Sequence, residues 1–241
     1  MFVCERHLLI DSADCFVIVN FSPAPQVYPR FIFMMSRQFS QLLLATHNAG
    51  KIKELTQLLQ GIPVALRNLS EFPAVLEVAE TGATFAENAT LKARQYAEQT
   101  GMLALADDSG LEVDALGGAP GVFSARYGGT TATDAERVWR LLQELANVPL
   151  DKRRARFVCV AALAEPESAV TQIFQGVCAG CLACHPQGAN GFGYDPIFIP
   201  EGYEQTFGQL PDAIKQKISH RARALAAVRD YLVNRFRNRI G

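Results

Sequence analysis

From residue 42 onward the apolar and polar positions follow two alternating rhythms. Leu42-Leu43-Leu44-Ala45 is a short apolar run of the kind that forms a buried strand. Ile52, Leu55, Leu58 and Leu59 then recur at three- and four-residue spacing, which predicts a helix. Thr84 and Glu87 have capping-box spacing and Gly101 is a stop signal, so the pattern predicts a helix over 85–100. Residues 102–106 are an apolar strand that delivers Asp107 and Asp108 and then turns sharply at Ser109-Gly110. Thr133 and Glu136 repeat the capping-box spacing ahead of a helix through Leu145, with Pro149 beyond it. Residues 156–163 and 170–177 predict two neighbouring antiparallel strands joined at Glu165-Pro166-Glu167-Ser168. Leu225, Val228, Leu232 and Phe236 mark a closing amphipathic helix with arginines on its outer side. Strands alternating with helices, plus an antiparallel pair, predict one mixed α/β domain over 36–241, with two lobes and a cleft as the economical arrangement.

Residues 1–35 do not share this patterning. Phe16-Val17-Ile18-Val19 is apolar, but Glu5, Asp11 and Asp14 precede it, whereas a secretory signal has a basic start and an unbroken apolar core. Pro23, Pro25 and Pro29 interrupt any regular element. Met34 and Met35 stand just before the first well-patterned strand, and either is a candidate natural start. The preceding segment then reads as a disordered or misassigned leader.

Composition changes the picture in three ways. An apolar fraction of 49% is ample for a full core. A formal net charge of −1 gives no support for bulk electrostatic binding to nucleic acid. No apolar run approaches the roughly 20 residues of a membrane helix. Six cysteines in 241 residues do not make a disulfide scaffold, so a reduced cytoplasmic setting is the simplest reading.

The candidate chemistry lies at the ends of the predicted elements. Thr46-His47-Asn48-Ala49-Gly50-Lys51 joins a strand to a helix, where free backbone N–H groups and the Lys51 charge favour an anion. A P-loop would need Gly at 45 and Ser or Thr at 52; Ala45 and Ile52 stand there, which argues against a Walker-type site. Glu80 precedes the second helix and either reaches a cation or favours the positive helix start. Lys92 lies two turns into that helix and, taken alone, reads as a solvent-facing lysine. On an extended chain Asp107 and Asp108 point to opposite faces. Asp108 is assigned to the cleft, to hold Mg²⁺ or accept a proton from water, and Asp107 to a second position. The competing reading is an Asx-type turn into Ser109-Gly110.

Downstream, Gly191-Phe192-Gly193-Tyr194-Asp195-Pro196 is a glycine-rich loop with two aromatics and an acid. Phe192 or Tyr194 can stack on a flat ring, Asp195 can accept a hydrogen bond from a base or sugar, and the bland alternative is a tight loop with core aromatics. Lys215 and Ser219-His220-Arg221 cluster before the last helix, and their donors suit a purine carbonyl or phosphate. Cys178, Cys181, Cys184 and His185 fall within eight residues. The last three spell a c-type haem attachment motif, and all four a conceivable Cys₃His zinc site. Without an export signal, incidental thiols at a strand end are the preferred reading.

With these segments in order, the chain resembles the inosine/xanthosine triphosphate pyrophosphatase family. The matching stretches are LLLATHNAGKIKEL, ETGATFAENATLKA, ALADDSGLEVDALGGAPGVFSARYGG, GFGYDPIF and AIKQKISHRARAL, spanning residues 42–225. The resemblance implies an elongated α/β fold with a mixed central sheet, helices on both sides and two lobes around a nucleotide-binding cleft, usually as a homodimer. It implies Mg²⁺-dependent hydrolysis of ITP, dITP and XTP to the monophosphate and pyrophosphate, with a purine nucleoside triphosphate as the partner rather than nucleic acid or membrane. By motif, residues 46–51 and Lys92 would contact the triphosphate. Glu80 and Asp108 would hold Mg²⁺, Asp108 also accepting the proton, and Ser109 would touch substrate. Phe192, Gly193, Tyr194, Asp195, Lys215, His220 and Arg221 would surround the nucleotide, the last two near the base. Residues 1–35 and the cysteine cluster are not family features. Two other readings remain: a pyrophosphatase for modified pyrimidine triphosphates in a similar fold, and a non-enzymatic nucleotide-binding module. The Ser-His-Arg triplet and the Phe-Gly-Tyr-Asp loop favour the purine enzyme.

Overall fold

A computed structural model describes residues 41–237. The expectations for residues 1–35, with Met34 and Met35, lie outside the described residues. The elements are β1 (Gln41–Leu44), α1 (Ala49–Leu58), β2 (Ala65–Asn68), α2 (Phe85–Thr100), β3 (Leu103–Val113), α3 (Asp134–Glu144), β4 (Arg154–Ala164), β5 (Thr171–Leu182), β6 (Phe198–Pro200), α4 (Asp212–Ile218) and α5 (His220–Arg237). Six strands form one sheet in the order β2-β1-β3-β4-β5-β6. β1 runs parallel to β2 and β3, and the remaining neighbours are antiparallel. The sheet is mixed, as the strand–helix pattern predicts.

Side chains on a strand alternate between faces, and β3 uses that alternation to sort the molecule into layers. Leu103 and Leu105 point into an apolar cluster with Leu42, Leu44, Leu55 of α1, and Ala224, Leu225 and Val228 of α5. Ala104 and Ala106 point the other way, into a cluster with Ala89, Ala93 and Tyr96 of α2. Helices therefore cover both faces. Farther along, Leu111 and Val113 enter a third cluster with Val138 and Leu141 of α3, Phe157, Tyr194, Phe198 and Phe207. Residues 107–110 lie where the first two clusters give way to the third.

The strand boundary differs from the sequence expectation. The chain does not turn at Ser109-Gly110; β3 continues to Val113. Antiparallel pairing with β4 runs unbroken from Ala104 opposite Ala164 to Val113 opposite Ala155, and this tertiary ladder overrides the local turn signal. Gly110 supplies close approach instead, since a Cβ there would come within 2.4 Å of the Gly121 carbonyl and the Ser124 hydroxyl. The caps behave largely as expected. Thr84 accepts the Glu87 N–H at 3.1 Å, Gly101 closes α2 in the left-handed conformation, and Thr133 with Glu136 completes a reciprocal capping box. At α2 the reciprocal half is displaced, because Glu87 accepts from Ala83 N rather than from the cap.

Candidate active site

The period-two rule places Asp107 on the α1/α5 face of the sheet and Asp108 on the α2 face. Their surroundings follow from that. Asp107 is fully buried, and its Oδ2 meets Lys51 Nζ at 3.2 Å and Arg221 NH2 at 3.0 Å. Burial works to raise its pKa, but Lys51, Arg221 and Lys92 outweigh it and hold the carboxyl well below the usual range. Arg221, at the start of α5, is 1% exposed and bonds through all three nitrogens: to Asp107, to the Ser109 hydroxyl at 2.7 Å and to Glu54 of α1. Glu54 also meets Lys215 at 2.7 Å, and Lys215 reaches Asp195. A buried chain of alternating charges thus ties β3, α1, α4, α5 and the loop before β6 together.

Asp108 faces a cleft of about 530 Å³, within the usual size of a small-molecule site. Its Oδ2 accepts Asn88 Nδ2 at 3.1 Å, and its Oδ1 lies 3.8 Å from Lys92 Nζ. Asn88 is completely buried and accepts Gly82 N at 2.7 Å, so it fixes the carboxylate against the loop that precedes α2. Lys92 is itself buried. Its Nζ bonds Glu80 at 2.5 Å and the Asp107 carbonyl at 2.8 Å. Burial works to lower the Lys92 pKa, but Asp108, Asp107 and Glu80 prevail and it is raised. For Asp108 the balance goes the other way: burial pushes the carboxyl up against the pull of Lys92 and Lys51. A carboxylate raised in this way suits a proton acceptor.

Glu80 also meets Arg126 at 3.3 Å, and burial of Glu80 is outweighed by Lys92, so its carboxyl stays low. The two carboxylates, Glu80 and Asp108, converge on one ammonium. Such a pair fits Mg²⁺, which is commonly held by one or two carboxylates together with substrate phosphates. Among the described residues no group of three or more His, Cys, Asp or Glu is placed to hold a metal ion by itself. That includes the cysteine cluster, in which Cys178 is buried, Cys181 half-buried and Cys184 exposed.

The cleft also has an aromatic lining. The His220 ring stacks on Phe157 with centroids 4.6 Å apart, and its Nδ1 is buried without a hydrogen-bond partner. Burial, reinforced by Arg221 and Lys215, presses the His220 pKa well below its ordinary value, so the ring is neutral. Tyr194 is buried and donates to the Ser124 carbonyl at 3.0 Å. Phe192 lies over Lys215 at 4.8 Å and against Gly50, where a Cβ would come within 2.8 Å of the ring.

Most of the residues singled out from sequence come together here. Thr46, His47, Asn48, Lys51, Glu80, Lys92, Asp108, Ser109, Phe192, Gly193, Tyr194, Asp195, Lys215, His220 and Arg221 line the one cleft. Asn48 also caps α1 by accepting Lys51 N at 3.0 Å. Ala49 is exposed outside the lining, and Gly50 borders a smaller cavity of about 110 Å³ behind Phe192. The structure adds detail to four of these residues. Lys92, which taken alone reads as a solvent-facing lysine, is buried and lines the cleft. Asp195 is 2% exposed, and its Oδ2 accepts from Lys215 and from Phe192 N while the residue lines the cleft. Lys215 and Arg221 are tied to carboxylates, because each is buried and needs a counter-charge. Asn88, Glu54, Phe157 and Arg126 escaped the sequence reading. Asn88 was recoverable, since it stands four residues before Lys92 on the same helix face; Glu54 and Phe157 carry no local signal.

The sequence profile of the Ham1 family matches residues 42–231. The chain belongs to the Ham1 family. This Ham1 chain is 49% identical over 192 residues to the dITP/XTP pyrophosphatase of Desulforamulus reducens, covering 80% of this chain and 95% of the relative. It is 47% identical to the protein of the same name from Thermosynechococcus vestitus, with the same coverage. Among solved structures, a HAM1 protein from Coxiella burnetii superposes with a TM-score of 0.75 at 45% identity, covering 80% of this chain and 98% of that one. A nucleoside-triphosphatase, dITP/XTP pyrophosphatase, from Mycobacterium abscessus gives 0.64 at 43% identity, covering 78% and 97%. The family match falls within the described part of the chain. None of its helices there is long and apolar enough to cross a membrane.

Proposed function

We propose that this chain hydrolyses ITP, dITP and XTP at the α–β phosphoanhydride, releasing the nucleoside monophosphate and pyrophosphate, as a Mg²⁺-dependent cytoplasmic homodimer that removes aberrant purine nucleotides. The observation that carries the reading is the make-up of the cleft: its wall brings Lys51, Lys92, Glu80 and Asp108 together with Phe157, His220, Phe192 and Tyr194. A nucleoside triphosphate joins the two kinds of group that such a wall suits, a charged phosphate chain and a flat ring. The names of the Ham1 relatives support the same substrate class.

In this reading Thr46, His47, Asn48 and the helix start behind them receive the phosphates with Lys51 and Lys92. Glu80 and Asp108 would hold Mg²⁺, which when bound neutralises phosphate charge and polarises the phosphoryl oxygen. Asp108 takes the proton of a water that attacks the α-phosphorus. The bond to the β-phosphate bridging oxygen breaks, and pyrophosphate leaves. Lys51 and Lys92 stabilise the charge that develops on it. His220, with its unpartnered Nδ1, and Arg221 border the base. Donors there suit a 6-carbonyl purine and leave adenine's 6-amino group badly matched, a costly pairing in a buried site.

A panel of triphosphates with Mg²⁺, scored for pyrophosphate, tests this. Turnover of ITP, dITP and XTP should far exceed that of ATP and of modified pyrimidine triphosphates. Orthophosphate as the direct product, or equal rates across the panel, would count against it.

A further inference from the structure

Helix α3 brings a further charged pair to the cleft beside the Phe-Gly-Tyr-Asp loop. Asp134, at the start of α3, accepts Gly193 N at 2.7 Å with Oδ2 and pairs through Oδ1 with Arg137 at 2.5 Å. Asp134 thereby fastens the Arg137 guanidinium to the loop that supplies Phe192 and Tyr194, and both residues line the main cleft. Arg137 and Arg221 differ in how fully they are used. Arg221 bonds through all three nitrogens. Arg137 makes one ion pair, and its Nε, shielded from water, has no acceptor. A guanidinium offers five N–H donors in a rigid fork, so Arg137 retains donors for an oxygen-bearing ligand beside it.

We propose that Arg137 is a specificity-determining residue that meets the oxygen-rich edge of the base and favours xanthine over hypoxanthine; this rests on the triphosphate reading above. Several neighbouring polar groups are already occupied or uncharged. The Tyr194 hydroxyl is given to Ser124, Lys215 is held by Asp195 and Glu54, and His220 is neutral. Xanthine carries a second ring carbonyl and is the more acidic base, so it presents more negative charge than hypoxanthine. A cationic fork gains from both features, whereas contacts to the carbonyl common to the two bases do not separate them.

The test compares the unaltered protein, Arg137→Met and Arg137→Lys, using initial rates of pyrophosphate release from XTP, ITP and dITP. Ratios between substrates are internal to each variant, so partial loss of folded protein cancels. For Arg137→Met the XTP/ITP ratio of kcat/KM should fall roughly tenfold, while the ITP/dITP ratio holds. Arg137→Lys should retain part of the preference, and rising salt should narrow it in the unaltered protein. An unchanged XTP/ITP ratio, or an equal loss on all three substrates, overturns the inference. A shifted ITP/dITP ratio would put Arg137 on the ribose 2′-hydroxyl and overturn it as well. If the unaltered protein releases pyrophosphate from none of the three, the underlying reading fails and takes this inference with it.

Discussion

Asp107 and Asp108 are adjacent, share a strand and have opposite environments. Beneath the sheet, Asp107 sits among Lys51, Arg221 and Cys159, fully enclosed, with its charge locked in place. Above it, Asp108 faces the cleft with one oxygen held by Asn88 and the other toward Lys92. The first carboxyl is pushed down by its cations, and the second is pushed up by burial. One residue of register separates a group that fastens helices to the sheet from a group suited to chemistry. A buried ion network can hold a catalytic strand position rigid without taking part in the reaction.

Substitutions can break this contrast from either side. The largest effect is expected for Asp108→Asn, which removes the proton acceptor while keeping the Asn88 contact in shape. Turnover should fall roughly 10³-fold with thermal unfolding little changed. Asp107→Asn should do the reverse in kind: Lys51 and Arg221 lose a buried counter-charge, costing about 3 kcal/mol, read in a denaturant titration or as a melting temperature lowered by roughly 10 °C. Asn88→Ala tests whether orientation of Asp108 matters beyond its presence. We expect kcat to fall about 10- to 100-fold, with a smaller change in KM.

The smallest effect concerns pH and His220. Its folded pKa lies below the ordinary value of about 6.5, so the unfolded chain takes up a proton that the fold refuses. Stability from this group is therefore full above about pH 6.5 and falls as the pH drops below it, by at most about 1.4 kcal/mol per pH unit. His220→Phe, which keeps a ring against Phe157, should flatten that part of the stability profile; an unchanged slope would mean that the ring is not held neutral.

The sequence revealed the parts of this contrast that depend on local rules. Opposite faces for Asp107 and Asp108 follow from strand geometry alone, and the α2 and α3 boundaries from Thr84, Gly101, Thr133 and Glu136. The family motifs predict the gathering of Thr46, His47, Asn48, Lys51, Lys92 and the Phe-Gly-Tyr-Asp loop into one cleft, whereas Ala49 and Gly50 of the same segment stay outside it. What local spacing could not supply was pairing at long range. The strand passes through Ser109-Gly110 because β4 lies alongside it. Arg221 lines the cleft and also reaches Asp107, more than a hundred residues away, because a buried guanidinium must find carboxylates. Glu54 sits on a helix face like any exposed glutamate until Lys215 and Arg221 close on it.

The most direct test of the central claim is hydrolysis of XTP or ITP in ¹⁸O-labelled water with Mg²⁺, followed by mass analysis of both products. Attack on the α-phosphorus by a water that Asp108 deprotonates predicts the label in the nucleoside monophosphate and none in pyrophosphate. Label in pyrophosphate, or release of labelled orthophosphate, would contradict it.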